Sequence, residues 1–211
     1  MARIFDISPV ISPRLAVFPG DTPFERRELM HVDRGDHISL SATTSTVHLG
    51  SHADAPVHYG KGGGTIDRQP LELYVGPCRV VRVDGAHGRA VTVQDLAGRV
   101  PFGTERLVLA TGSFPDPERW NADFASVDPA LVEWLDTRGV RLVAIDTPSV
   151  DRSDSKDLPA HAAFFRTGIS IIEGVVLAGV PEGRYELVAL PLRIEGADAS
   201  PVRAILRSVA G

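Results

Sequence analysis

The stretch His48–His58, with the sequence HLGSHADAPVH, places three histidines and one aspartate within eleven positions. These four side chains occupy even-numbered positions, so a straight strand would present all of them on one face. A straight strand would also hold His48 and His52 about 13 Å apart, whereas one metal ion needs ligand bonds of about 2 Å. Gly50 and Pro56 oppose a helix here. The stretch therefore predicts a strand end that bends sharply at Gly50.

The predicted bend would gather His48, His52 and Asp54 around one cation. Three ligands of this kind leave a coordination position for water or substrate, as in catalytic metal sites. His58 would lie beyond Pro56, where an ordinary histidine pKa near 6.5 suits a side chain that carries protons. Polar loop residues are the alternative interpretation, but four such side chains at this spacing favour a metal site.

Two residues far along the chain are candidates for the remaining ligands. His161 lies in the first turn of a predicted helix, and Glu173 interrupts the apolar run ISIIEGVVLAG at residues 169–179. Burying a bare carboxylate is unfavourable unless a cation or hydrogen-bond donors meet it. The alternatives are a solvent-facing helix residue for His161 and an exposed strand end for Glu173, and the sequence leaves them open.

Composition limits the class of protein. A chain of 211 residues with 43% apolar and 23% charged residues is typical of one globular domain, which we expect to span residues 1–211. The net charge of −5 and the lack of a basic run argue against nucleic acid as a partner. Cys78 is the only cysteine, which excludes an intrachain disulfide and a cysteine-based zinc site. No apolar run suggests a signal peptide or membrane span, so we expect a cytoplasmic protein without a membrane partner.

Short runs rich in β-branched residues, with turn residues at their ends, predict strands. The runs are residues 37–52, 78–84, 106–112, 140–146, 168–174, 185–194 and 202–209. Capping residues and terminal glycines predict two helices, over 128–139 with Asp128 as N-cap and over 157–168 with Asp157 as N-cap. A weaker helix start is predicted at Thr92. Strands outnumber helices, so we expect an α/β domain.

Other polar groups have less specific signals. The strands ending in VLATGSF and VAIDTPS stop in small or polar residues, 111–113 and 146–149, and strand ends of this kind often line sites. Simple strand-to-loop transitions are an equally good interpretation. His31, His37 and His87 lie in polar stretches or a turn and are expected at the surface.

The sequence HLGSHADAPVH resembles the HxGTHxDxPxH signature of the cyclase family of metal-dependent hydrolases, with Ser51 in place of the usual threonine. The resemblance extends along most of the chain to the bacterial kynurenine formamidase (arylformamidase) branch. It is carried by FPGDTPF, HADAPVHYGKGGGTID, PLELYVGPCRV, AIDTPSVDRSDSKDLPAH and IIEGVVL. The resemblance implies a compact α/β domain with a central mixed, barrel-like sheet flanked by helices.

The resemblance also implies a complete site with two divalent metal ions per subunit, expected to be zinc. In this assignment His48, His52 and Asp54 bind one zinc, while Asp54 and Glu173 bridge to a second zinc that His161 completes. His58 is implied as the general acid/base. Phe18 stands where the branch usually has the tryptophan associated with the substrate's aromatic ring.

The implied reaction is hydrolysis of N-formyl-L-kynurenine to L-kynurenine and formate, in tryptophan degradation, by a homodimer. Water activated by the metals would attack the formyl carbon while His58 transfers the proton. One alternative is another amide or lactam hydrolase of the family, similar to isatin hydrolase. A second, non-enzymatic alternative is a metal-dependent binding module, against which the presence of a proton carrier argues.

Overall fold

The computed structural model describes residues 2–209. Its strands are β1 (Ile4–Asp6), β2 (Glu25–Met30), β3 (Leu40–Thr44), β4 (His52–Asp54), β5 (Val75–Arg82), β6 (Ala90–Val91), β7 (Arg106–Ala110), β8 (Ser126–Val127), β9 (Leu142–Ile145), β10 (Ser170–Glu173), β11 (Gly183–Val188), β12 (Ala199–Pro201) and β13 (Ile205–Ser208). Its α-helices are α1 (Pro56–Tyr59), α2 (Val93–Leu96), α3 (Pro129–Asp136) and α4 (Pro159–Thr167). The α/β prediction is confirmed.

Nine strands form one mixed sheet in the order β1-β13-β11-β5-β7-β9-β10-β4-β12. The pairs from β5 through β10 are parallel and the flanking pairs are antiparallel. Only residues 202–204 separate β12, at one end of this order, from β13, which is next to the other end. Those residues span at most roughly 14 Å, whereas seven strand spacings in a flat sheet amount to about 34 Å. The sheet therefore curls until its ends approach each other, as expected for a barrel-like sheet.

The central parallel strands are buried on both faces, which is why their sequences are continuous apolar runs. Alternate residues of β7 and β9 divide between two cores: Val108 and Ala144 face one core, and Leu109 and Val143 face the other. Buried residues of α3 and α4 belong to the second core. Both helices therefore cover the same face of the sheet.

The predicted N-cap of α3 is confirmed, because the Asp128 carboxylate accepts a hydrogen bond from Ala130 N at 2.8 Å. The predicted N-cap of α4 is wrong: Leu158, with φ 43°, precedes the helix and Asp157 makes no cap. The carboxylate of Asp151, from the preceding loop, accepts hydrogen bonds from the first amides of α4 instead. No helix within residues 2–209 has the length and apolar character needed to cross a membrane.

Most strand predictions are confirmed with shorter bounds, and two need correction. The expectation of one strand over residues 37–52 is wrong, because β3 pairs with β2 and ends at Thr44, while β4 begins at His52 in the large sheet. The intervening chain turns at Gly50, whose φ is 58°, so the bend predicted from ligand distances is confirmed. The predicted strand over 185–194 stops at Val188, ahead of Pro191, which lacks the amide that a strand ladder uses.

Gly174 packs directly against the bend at Gly50. Its φ is 68°, and a Cβ at this position would lie 2.2 Å from the Gly50 carbonyl oxygen. Glycine is therefore required both by backbone conformation and by the close approach of two backbones. This approach sets the distance between the end of β10, with Glu173, and the start of β4, with His52.

Replacing Gly174 by alanine should destabilise the fold more than the same change at Gly179. Gly179 has a similar φ of 74° but nothing within 4 Å of its Cβ position. Both changes incur the left-handed conformation, about 1–2 kcal/mol, but only Gly174→Ala adds overpacking, a further ~1–3 kcal/mol. Urea denaturation of both variants measures this difference. Equal losses of free energy of unfolding would contradict the close approach.

Candidate metal centre

The candidate site lies on the helix-covered face of the sheet, where β10 and β4 run side by side. Glu173 stands directly opposite His52 in the antiparallel register of these strands, so both side chains project from the same face. Asp54 follows two positions after His52 and shares that face. His161 reaches the same point from the first turn of α4. The fold thus brings together residues more than a hundred positions apart.

Asp54 is the centre of this cluster. Its Oδ1 lies 3.1 Å from His48 Nδ1 and 3.4 Å from His52 Nε2, and its Oδ2 lies 3.5 Å from His161 Nε2. Glu173 completes the cluster, with Oε2 at 3.4 Å from His52 Nε2 and Oε1 at 3.7 Å from His161 Nε2. All five predicted ligands therefore lie close together, and the two oxygens of Asp54 face different histidines.

Surrounding groups hold the ring of each buried histidine in a fixed orientation. His52 Nδ1 lies 3.0 Å from the Gly50 carbonyl oxygen, and His161 Nδ1 lies 2.8 Å from Asp151 Oδ2. Each contact directs the opposite nitrogen, Nε2, into the cluster, the arrangement usual for metal-binding histidines. Glu173 Oε1 accepts a hydrogen bond from Val150 N at 2.7 Å, which fixes the carboxylate.

The inward-facing atoms have no hydrogen-bond partners within residues 2–209. They are His52 Nε2, His161 Nε2 and both carboxylate oxygens of Asp54, all fully shielded from solvent. Buried polar atoms without partners are rare and unfavourable. Imidazole nitrogens and carboxylate oxygens are also the ligands that zinc and similar divalent ions prefer. The residues present therefore fit a divalent metal ion.

The pKa values within the cluster indicate the same preference for a cation. Burial opposes the charged form of His52, but Asp54 and Glu173 raise its pKa to about 10. Burial likewise opposes the charge on His161, whose pKa Asp151 and Asp54 raise to about 10. Burial would raise the pKa of Asp54, but the three histidines hold it well below its usual range. The carboxylates thus require positive charge, which protons or a metal ion can supply in competition.

Within residues 2–209, two sets of side chains each offer three ligand atoms that lie within 4.8 Å of one another. One set is His48, Asp54 and His58, and the other is His52, Asp54 and Glu173. Asp54 belongs to both sets, as a carboxylate shared between two ions must. His58 belongs to the first set, so its position suits a metal ligand as well as the predicted proton carrier.

His58 stands at the edge of the cluster, in α1, with its ring centroid 4.2 Å from that of His48. Its side chain remains one-third exposed. Burial lowers the pKa of His58, so the neutral imidazole predominates at pH 7. A neutral, accessible imidazole beside the cluster can accept a proton.

Asp198 was not identified from the sequence. Its Oδ2 lies 3.0 Å from His48 Nε2 and 3.4 Å from His58 Nδ1, and it joins these two rings. Asp151, which orients His161, was also missed as a site residue. Asp151 lies ten residues before His161, in a loop that also contains Asp154 and Asp157, and Asp198 lies in a polar loop without a distinctive pattern.

A cavity of about 520 Å³ opens above the cluster. It is lined by residues that include His48, His52, His58, His161, Glu173 and Phe18. The Phe18 ring packs edge-to-face against Trp120, with 5.1 Å between the ring centroids. Asp146 also lines the cavity, and its carboxylate accepts hydrogen bonds from Thr111 and Gly112. Of the two strand ends singled out in the sequence, the one at 146–149 therefore lines the cavity, whereas residues 111–113 are not among its lining residues.

The remaining titratable groups singled out in the sequence lie elsewhere. His37 and His87 are exposed and His31 is partly exposed, away from the cavity lining. Cys78 is buried, and burial raises the pKa of its thiol to about 12. A thiol of this kind is not a reactive nucleophile at neutral pH.

A profile of the family described as "Putative cyclase" matches residues 5–152. The chain belongs to the cyclase family. Kynurenine formamidase from Maricaulis maris (strain MCS10) is 42% identical over 99% of this chain and 100% of its own length. Kynurenine formamidase from Bordetella avium (strain 197N) is 41% identical over the same shares. A solved structure described as a potential metal-dependent hydrolase with cyclase activity superposes with a TM-score of 0.85 at 28% identity, and the match covers 100% of this chain and 100% of that chain.

Proposed function

We propose that the protein is an arylformamidase that hydrolyses N-formyl-L-kynurenine to L-kynurenine and formate with two divalent metal ions, zinc in the resting enzyme. The observation that carries this proposal is the full-length similarity, at 41–42% identity, to two kynurenine formamidases. The buried histidine and carboxylate cluster at the floor of a cavity supplies the matching chemistry.

The residues that would hold the metals are those of the cluster. His48, His52 and Asp54 would bind one ion, and Asp54, Glu173 and His161 would bind the second. The unpartnered atoms of His52, Asp54 and His161 support this assignment, because a metal ion would satisfy them together. When bound, such ions supply Lewis acidity and lower the pKa of water from 15.7 to about 7.

The residues of the chain must then bind the substrate and move one proton. His58 would accept a proton from the attacking water and donate it to the aryl nitrogen as the carbon–nitrogen bond breaks. One water and one formamide are thus converted into formate and an arylamine. The reaction needs no protein nucleophile, and the buried thiol of Cys78, whose pKa is raised by burial, is not suited to be one.

The cavity supports an aromatic substrate. Its volume of about 520 Å³ lies within the range of small-molecule sites, roughly 300–1,000 Å³. Phe18 and Phe114 line it, and Trp120 packs edge-to-face on both rings. Phe18 would offer an aromatic face to the substrate ring, although with less area than an indole.

We also propose a homodimer. The hairpin of β2 and β3 forms a separate two-stranded sheet, and an isolated hairpin is marginally stable in water. Leu29 and Leu40 on its strands and Val32 and Ile38 in its connection are 45–52% exposed. Clustered exposed apolar residues favour an association surface. Sedimentation of the purified protein would measure its mass in solution.

The purified protein should hydrolyse N-formyl-L-kynurenine in preference to isatin. Chelation should remove this activity, and added zinc should restore it, because the cluster's charge and unpartnered atoms require a cation. Product absorbance measures both reactions side by side. Faster hydrolysis of isatin would favour the lactam hydrolase alternative. Failure of the zinc-loaded protein on all N-formyl arylamines would favour the binding module.

A further inference from the structure

The cavity lining includes one lysine and one aspartate that have no ion-pair partner within residues 2–209 and no role in the metal centre. These residues are Lys156 and Asp21. Arg152, beside Lys156 in the same lining, is instead held by Asp154, with two hydrogen bonds of 3.0 Å. The charges on Lys156 and Asp21 therefore remain available to a ligand.

Asp21 is fixed beside the aromatic face of the cavity. Its backbone N donates a 2.9 Å hydrogen bond to the Phe18 carbonyl oxygen and closes a tight turn. Gly20 has a φ of 101°, a positive value that suits the third position of a type II turn. The turn thus joins the Phe18 ring, packed on Trp120, to the Asp21 carboxylate. A ligand whose ring meets Phe18 would have its substituents near this carboxylate.

Lys156 lies in the loop between β9 and α4, which is anchored to the metal centre. Asp151 in this loop binds the first amides of α4 and the ring of His161. Ser155, next to Lys156, is also held in place, since its hydroxyl accepts a hydrogen bond from Leu158 N at 3.2 Å. The loop that positions a predicted metal ligand therefore also places Lys156 in the lining of the cavity.

We propose that Lys156 and Asp21 recognise the amino-acid end of the substrate, Lys156 the α-carboxylate and Asp21 the α-ammonium group. This inference rests on the proposed function, because N-formyl-L-kynurenine carries a zwitterionic amino-acid group at the end opposite its formamide. Complementary charges at the rim of a site select a partner and exclude those without matching charge. Isatin has no such group, so the pair would separate the two substrate classes.

The test compares three formamides that share the reacting group. They are N-formyl-L-kynurenine, its des-amino analogue, which keeps the carboxylate, and ortho-formamidoacetophenone, which has neither charge. For Lys156→Met we expect kcat/KM for the two substrates that carry a carboxylate to fall about five- to tenfold relative to the neutral formamide, because their KM rises. For Asp21→Asn only N-formyl-L-kynurenine should lose a comparable factor. Both effects should shrink at high salt, because the side chains are exposed.

The matched control is Lys61→Met, since Lys61 is the other lysine of the chain, is exposed, and is not among the lining residues of the cavity. Equal behaviour of Lys156→Met and Lys61→Met on all three substrates would overturn the assignment of Lys156. An equal loss on all three formamides would overturn it as well, because it would indicate a structural effect. If the wild-type protein hydrolyses none of them when zinc-loaded, the proposed function itself fails.

Discussion

Replacing Asp54 by asparagine is expected to empty the metal centre and to lower turnover by more than about 10⁴-fold. Asp54 is fully buried, and its two oxygens face three histidines at 3.1 to 3.5 Å. An asparagine keeps the shape of the side chain but removes the negative charge and one of the two acceptor oxygens. The substitution would therefore abolish the shared contact on which both candidate ion positions depend.

The loss of metal should differ in size among asparagine variants of Asp54, Asp151 and Asp128. Asp151 contacts His161 but is not itself among the unpartnered atoms, so Asp151→Asn should weaken metal affinity about 10–100-fold, as is usual for groups that orient a ligand. Asp128 is the N-cap of α3, where asparagine is an equally good cap, and Asp128→Asn should leave metal content unchanged. Metal analysis and kcat/KM of the three variants give the comparison. Full metal occupancy in folded Asp54→Asn would show that another residue bridges the site.

The sequence predicted the parts of the fold that depend on local pattern. The buried parallel strands and α3 could be located because continuous apolar runs and an Asp-Pro helix start act within a few residues. The Gly50 bend could be located because ligand distances excluded a straight strand. The edge strands β1 and β12 were not predicted, since three residues of strand carry little periodicity and form only when long-range partners are in place.

The site was predictable where one stretch concentrated the relevant residue types. His48, His52, Asp54 and His58 lie in one such stretch, and the structure brings His161 and Glu173 to it. Asp157 was assigned the cap that Asp151 provides, because the sequence does not show that Leu158 adopts a left-handed conformation and interrupts the local geometry. Asp198 could not be found because its role arises from the pairing of β12 with β4.

Replacing His58 by alanine is expected to lower kcat by about 10²–10⁴-fold while both metals remain bound. The reason is that His58 lies at the edge of the cluster, partly exposed, whereas the buried ligands His52 and His161 face Asp54 and Glu173. Loss of a positioned acid/base removes proton transfer but leaves the buried cluster complete. The exposed His87, outside the cavity lining, supplies the control variant His87→Ala.

Metal content distinguishes the two roles that geometry gives to His58. If His58 completes a ligand set with His48 and Asp54, which lie within 4.8 Å of it, His58→Ala should bind only one ion per subunit. If His58 carries protons, metal content stays at the wild-type value and kcat alone falls, with KM nearly unchanged. Asp198→Asn sharpens the distinction, because Asp198 contacts His48 and His58 from outside the buried cluster. This variant should reduce kcat less than His58→Ala and retain the metals, since it disturbs only the orientation of the proton carrier and of one ligand.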